Sequence, residues 1–282
     1  MSAAGPGLTP AGRGQVSAST RAHTALRRLS GLLPVVLLFI AVLVLWEVLL
    51  TALGVQVFLL PRPTVIAAAL VDQWTNLGGA VQYTATEALG GLAIGSVLGI
   101  GVAFATLRWT LARESLLPVA VAANSMPIIA FAPITNNWFG SDSPLSRMAI
   151  VAVMVFFPMM VNTVRGLTYV DASALELMRS YAASEWQILR SLRIPNSLPY
   201  LFTALKVATT LSVIGAVVGE YFGGPRNALG IYITAEAYLF RYANAWAAIV
   251  LACALGIGFY LVVVVLERAL IPWHSSFRQV EV

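Results

Sequence analysis

The chain has 282 residues, of which 59% are hydrophobic and 10% charged. Soluble domains carry roughly a quarter of their residues as charged side chains, so this composition excludes an ordinary water-soluble fold and makes a bilayer the expected solvent. The formal net charge of +5 comes from sixteen arginines and one lysine scattered between apolar runs; without a basic face, nucleic acid is not an expected partner.

Residues 1–28 are rich in Gly, Ser, Ala, Thr and Arg, contain no acidic residue, and read as a flexible basic tail ahead of a transmembrane domain covering 29–282. A membrane-spanning helix needs about 20 apolar residues. Such runs occur at 30–53, 83–107, 115–134, 146–164, 198–221 and 244–266, which predicts an all-α, polytopic fold with six spans. Asn124, Pro127 and Pro133 interrupt the third run, which is expected to be broken or re-entrant. Between the first two runs, the prolines of Leu59-Leu60-Pro61-Arg62-Pro63-Thr64 extend the chain, and Thr64 is placed to cap a short amphipathic helix from Val65 to about Trp74 along the membrane surface. Gly91, Gly95, Gly99 and Ala103, and later Gly215, Gly219 and Gly223, recur every four residues and predict close helix contacts. Arg13, Arg21, Arg27, Arg28, Arg108, Arg113, Arg165, Arg179, Arg190, Arg193, Arg268 and Arg278 fall on one side, against Arg62, Arg147, Arg226 and Arg241 on the other. This bias puts both termini in the cytoplasm.

Reactive groups are scarce. His23 and His274 lie outside every predicted span, which excludes a histidine-dependent intramembrane hydrolase or zinc site. Lys206 is followed by Val207, so no phosphate-binding loop ending in Lys-Ser or Lys-Thr exists, and energy must come from a partner or a gradient. Cys253 reads as a small buried hydrophobe. Among ionisable residues near the spans, Glu87 and Glu220 are expected at hydrated helix ends, Glu47 at a helix interface, and Lys206 snorkelling to headgroups. Asn124, Ser125, Asn136, Asn137 and Glu220 are the candidates to line a solute pathway, because polar groups at membrane depth are tolerated where protein or water meets them.

The segment between the fourth and fifth runs is neither lipid-like nor loop-like. Ala172 to Leu192 lacks Pro and Gly and places Leu175, Met178, Ala182, Ala183, Trp186, Leu189 and Leu192 at three- and four-residue steps, predicting an amphipathic helix or helix pair at the cytoplasmic face. Pro195 is expected to break it, and Pro199 to start the next span. Its charges nearly cancel, Glu176 and Glu185 against Arg179, Arg190 and Arg193, so a protein partner is preferred over a lipid surface.

Glu176, Ala182, Leu192, Ile194 and Pro195 fall on the spacing of the cytoplasmic motif of bacterial ABC import permeases, with Leu177 and Met178 replacing an alanine pair and Ala182 replacing a glycine. Tyr181-Ala182-Ala183-Ser184-Glu185-Trp186, Ile194-Pro195-Asn196-Ser197-Leu198-Pro199-Tyr200, Leu60-Pro61-Arg62-Pro63, Pro127-Ile128-Ile129-Ala130-Phe131-Ala132-Pro133 and Gly219-Glu220-Tyr221-Phe222-Gly223 resemble the nitrate, sulfonate and taurine branch. The resemblance implies a coupling helix over about 172–195 that docks in an ATPase groove through Glu176, Arg179, Ala182, Ala183, Ser184, Trp186, Leu192, Ile194 and Pro195. It further implies a homodimer of permease copies in the bacterial inner membrane, two cytoplasmic ATPase subunits that use ATP and Mg, and a periplasmic or lipid-anchored substrate-binding protein. No cofactor is expected on this chain itself. Some similar permeases carry thiamine-precursor pyrimidines or other heterocycles. With no arginine expected inside a span and Lys206 the sole intramembrane cation, the balance leans toward that class. The rival is a self-sufficient secondary carrier or channel, which would transport in vesicles without ATP.

Overall fold

The computed structural model describes residues 18–107, 118, 122 and 126–272, with side chains described from residue 33 onward. Among the described residues every regular element is helical. The described residues fall into two compact units that divide between Val55 and Gln56.

The first unit contributes one helix, α1 (Ala18–Ala52), whose side chains from Leu33 to Val44 are largely exposed and apolar. It starts inside the expected tail. Residues 18–28 hold Ala, Leu and Arg and no Gly or Pro, so intrinsic preference extends the helix backward from the apolar run.

In the second unit, α2 (Pro63–Asp72) has Pro63 in its first turn and Arg62 as its N-terminal cap residue. Thr64 therefore lies inside the helix and does not cap it. The locked φ of proline is preorganised for that first position. Gln73 then links α2 to α3 (Trp74–Thr106), which begins nine residues earlier than the apolar run suggested. A 3₁₀ turn (Ile128–Phe131) leads into the short α4 (Ala132–Phe139), and α5 (Pro144–Thr168) comes after it with Ser143 accepting from the Leu145 amide. Next come α6 (Ala172–Ser180) and α7 (Glu185–Ile188), a π turn over Leu189–Arg193, and α8 (Ile194–Glu220). The unit closes with α9 (Leu229–Tyr238) and α10 (Tyr242–Leu270).

Among the described residues, five helical stretches are long and apolar enough to cross a membrane: Leu33–Ala52, Trp74–Thr106, Pro144–Thr168, Glu185–Glu220 and Tyr242–Leu270. The third predicted span, 115–134, lies partly outside the described residues, which resume at Met126.

The centre of the bundle is α3, α5 and α8. An added Cβ at Gly95 would sit 2.5 Å from the Ala152 carbonyl oxygen, and one at Gly99 would sit 2.7 Å from that of Phe156. The glycine face of α3 is thus in backbone contact with α5, as its four-residue spacing predicted. Gly215 meets Met154 and Gly219 meets Arg147 and Ile150, so α8 packs on the next face of α5. Rising numbers on α3 pair with rising numbers on α5 and falling numbers on α8. The first two helices are parallel and the third antiparallel. Phe202 of α8 clusters with Val263 and Ile271 at the far end of α10. Cys253, on α10, is exposed rather than buried, because that helix turns its small Ala245, Ala247 and Ala248 inward instead.

Candidate functional site

Two polar features stand at opposite ends of the bundle. At the end where α5 finishes and α8 begins, the chain projects α6 and α7. Asp171 caps α6 by accepting from the Ala174 amide at 3.0 Å. The helix stops because Ala182 adopts φ +53, and the amides of Ala182 and Ala183 return to the carbonyls of Arg179 (2.9 Å) and Met178 (3.1 Å). This pair of bonds is a Schellman termination, whose left-handed residue is ordinarily glycine. Ser184 then opens α7 with a reciprocal capping box, its own amide donating to Gln187 Oε1 at 2.7 Å.

Pro195 does not break the helix. α7 continues through the π turn into α8, forming one helical stretch from Glu185 to Glu220. The wider π turn relieves the clash a proline ring makes with the carbonyl one turn back, and its five-residue bonding spares the missing amide. Asn196 Nδ2 donates to the carbonyls of Gly166 (2.8 Å) and Tyr169 (2.9 Å), clamping the root of the projection to the end of α5.

On this projection Glu176, Arg179, Ala182, Ser184 and Trp186 are exposed, whereas Ala183, Leu192, Ile194 and Pro195 are half-buried toward the root. α6 buries none of its side chains. Leu177, Tyr181 and Trp186 are 58%, 78% and 66% exposed, an apolar and aromatic surface carried on a firmly capped scaffold.

At the other end lies a buried ionic cluster. Arg147, in the first turn of α5, has no exposed surface, and its Nε donates to Glu87 Oε1 of α3 at 2.9 Å. Its Nη1 donates to the carbonyls of Ser141 and Gly223. Glu220, at the end of α8, accepts from Thr84 Oγ1 at 2.7 Å and from the Gly230 amide at 2.5 Å. Thr84 Oγ1 also accepts from the Leu229 amide at 3.0 Å, so the start of α9 is sewn to α3 and α8. Asn136 extends the cluster, its Nδ2 donating to Phe222 O at 3.0 Å and its Oδ1 accepting from Ser146 Oγ at 2.5 Å.

Several expectations change here. Arg147 is an arginine inside a span, not a loop residue, and it leaves the loop-charge count. Glu87 and Glu220 are fully buried instead of hydrated: Arg147 pairs with one oxygen of Glu87, and the Thr84 hydroxyl and Gly230 amide donate to Glu220. Glu220 and Asn136 are thus occupied by protein partners, while Asn137 is exposed on α4; Asn124 and Ser125 lie outside the described residues. Glu47 is half-buried on α1. Lys206 does not reach for headgroups but pairs with Glu267 of α10 at 2.6 Å. Sequence reasoning missed Arg147 because the polar, proline-bearing stretch Ser141-Asp142-Ser143-Pro144 stands just before it and reads as a loop. A signal was present in the predicted span from 146, which would already have contained it.

Comparison with known proteins gives these features a context. Residues 95–274 match the family described as binding-protein-dependent transport system inner membrane component. The chain is 33% identical to the formylaminopyrimidine transport permease protein of Halalkalibacterium halodurans, over 85% of this chain and 95% of the relative. It is 30% identical to the riboflavin transport system permease protein of Chloroflexus aurantiacus (86% and 90% covered). It is 26% identical to an aliphatic sulfonates transport permease protein of Bacillus subtilis (89% and 91% covered).

Proposed function

This chain belongs to the binding-protein-dependent transport system inner membrane components, and from that premise we propose how its two ends divide the labour of an ATP-driven importer. It is the transmembrane permease subunit of an ABC importer for a small nutrient, resides in the inner membrane, and works with an ATPase and a substrate-binding protein. In our reading the α6–α7 projection is the coupling element. It enters a groove of a cytoplasmic ATPase subunit, with Trp186, Leu177 and Tyr181 as anchors and Glu176 and Arg179 as polar rim. Two permease copies face two ATPase subunits, ATP and Mg are bound by those subunits alone, and both termini of this chain are cytoplasmic. The ionic cluster around Arg147 then faces the periplasm and holds the outer ends of α3, α5, α8 and α9 as one body.

The observation that carries this reading is that α6 buries none of its side chains yet is held at both ends, by the Asp171 cap and by the Schellman turn at Ala182 that joins it to α7, which runs unbroken into a membrane span. A helix held rigidly with its apolar residues uncovered is built for a partner. A displacement of that partner passes through the short hydrogen-bonded turn at 181–184 into α7, and from α7 into α8 without a further loop.

For the solute we favour a nitrogen heterocycle of the pyrimidine or flavin kind. Two relatives of high coverage are named for formylaminopyrimidine and riboflavin transport. Arg147, the arginine inside a span, is occupied by Glu87 and two carbonyls and offers no charge to an anion.

The test is co-purification of the ATPase, with substrate-stimulated ATP hydrolysis in reconstituted vesicles. Ala183→Trp overpacks the docking turn and should cost about 1–3 kcal/mol of interface energy. Glu176→Lys places a wrong charge at a desolvated contact, at a cost of several kcal/mol. Both should uncouple hydrolysis from transport while the chain still inserts; full coupling in both would refute the docking assignment.

A further inference from the structure

α8 is enclosed on nearly every side, and all of its exposed residues fall on one stripe: Tyr200, Thr203, Val207, Thr210 and Ile214. Steps of three and four residues put them on a single face of the helix. Three of the five carry hydroxyls. The outward face of α10 reads differently, with Ile257, Leu261, Val262 and Val265 exposed, and that of α3 shows Ile94, Val97 and Leu98. The α8 stripe differs from those faces in carrying hydroxyls among its apolar residues.

Lys206 stands beside the stripe, in an open depression of about 450 Å³ lined by Thr203, Lys206, Val207, Thr210, Leu211 and Tyr260, whose surface is mostly apolar. Its ammonium lies 2.6 Å from Glu267, and the two side chains are exposed to different degrees, 25% for the lysine and 9% for the glutamate. The pair leaves the ammonium with donors to spare, since an ammonium carries three. A partly exposed ion pair facing lipid would be costly, and intramembrane ionisable groups face water-filled cavities or protein interiors.

We propose that the Thr203–Thr210 stripe, with Lys206 beside it and Tyr260 opposite, is the wall past which the transported solute moves. Lys206 is its selectivity-setting residue, donating to ring nitrogens and carbonyls of that solute. This rests on the permease reading and adds the site of solute contact to it. Pairing with Glu267 keeps the attraction modest, as conduction requires a site favourable enough to enter and weak enough to leave. Tyr260 offers an aromatic face to a planar ring.

The test uses inner-membrane vesicles holding the complete transporter in a Cys253→Ser background, probed with anionic and cationic methanethiosulfonate reagents of similar size. Thiols react as thiolates, which form in water and not in lipid. Thr203→Cys and Thr210→Cys should therefore react at least about tenfold faster than Val97→Cys on α3. At Thr210→Cys the anionic reagent should lead the cationic one by about threefold, and Lys206→Met should abolish or invert that lead. Because Lys206→Met leaves Glu267 unpaired, Lys206→Met/Glu267→Gln is the second variant, in which the two reagents should react equally. Stripe cysteines as unreactive as Val97→Cys would overturn the proposal, as would a charge preference that survives removal of Lys206. ATPase co-purification is read separately, so failure here leaves the importer reading standing, and failure there does not depend on these thiols.

Discussion

Arg147 shows how a single residue can hold a membrane bundle together. A guanidinium with no exposed surface is stable there because Glu87 and the carbonyls of Ser141 and Gly223 replace its water. Removing one member of such a pair leaves the other charge buried and alone. Arg147→Met should therefore cost about 3–5 kcal/mol, read as a lower melting temperature of the detergent-purified complex, and Arg147→Met/Glu87→Met should recover much of the loss. A double variant no more stable than the single would mean the two side chains are not energetically coupled. Ala182 is the opposite case, a residue that costs stability where it stands. Its left-handed φ of +53 ends α6, and the related motif has glycine at this position. Ala182→Gly should stabilise the α6–α7 turn by about 0.5–1 kcal/mol, seen as slower amide exchange in α6, while Ala182→Val should do the reverse.

Elements in this protein meet through backbone rather than through large side chains. α3 lies against α5 along Gly91, Gly95, Gly99 and Ala103, close enough that a single methyl group at the glycines would collide with the facing chain. Dispersion between closely approaching helices replaces the hydrophobic drive that lipid cannot supply. Gly95→Leu should therefore cost about 3 kcal/mol or more, because the collision is with a carbonyl that cannot move aside. Gly101, further along the same helix, has nothing within 4 Å of an added Cβ. Gly101→Ala should be neutral or stabilise the helix by up to about 1 kcal/mol. Melting temperatures of the two variants in detergent separate close packing from a general intolerance of α3 to substitution.

For the molecule as a whole, direction is the informative property. α3 and α5 run parallel, so Thr106 and Asn136, which flank the third predicted span, lie toward opposite ends of the bundle. Taking Arg147 out of the loops sharpens the charge asymmetry that sets orientation, since Arg62, Arg226 and Arg241 remain on the sparse side. In a Cys253→Ser background, Ser141→Cys and Asn227→Cys should react with an impermeant thiol reagent added outside intact cells, and Ser173→Cys should not. Labelling of Ser173→Cys from outside would reverse the orientation and remove the coupling role of α6.

The sequence by itself determined the solvent, the helical class, the helix-contact faces and the location of the amphipathic segment between the fourth and fifth runs. Each of these is written in local composition or in a fixed residue period, and the motif spacing around Glu176 and Pro195 is local too. What only the tertiary structure decided depends on residues distant in the chain. Glu87, Arg147 and Glu220 are separated by tens of residues, and whether each is hydrated or paired is set by which helices touch, not by its neighbours in sequence. The same holds for Lys206, whose partner Glu267 lies on another helix. The uninterrupted passage from α7 through Pro195 into α8 was also illegible, because a proline reads as a break unless the π turn that accommodates it is seen. Charge in a membrane is tolerated only when paired, and pairing is a property of the folded chain.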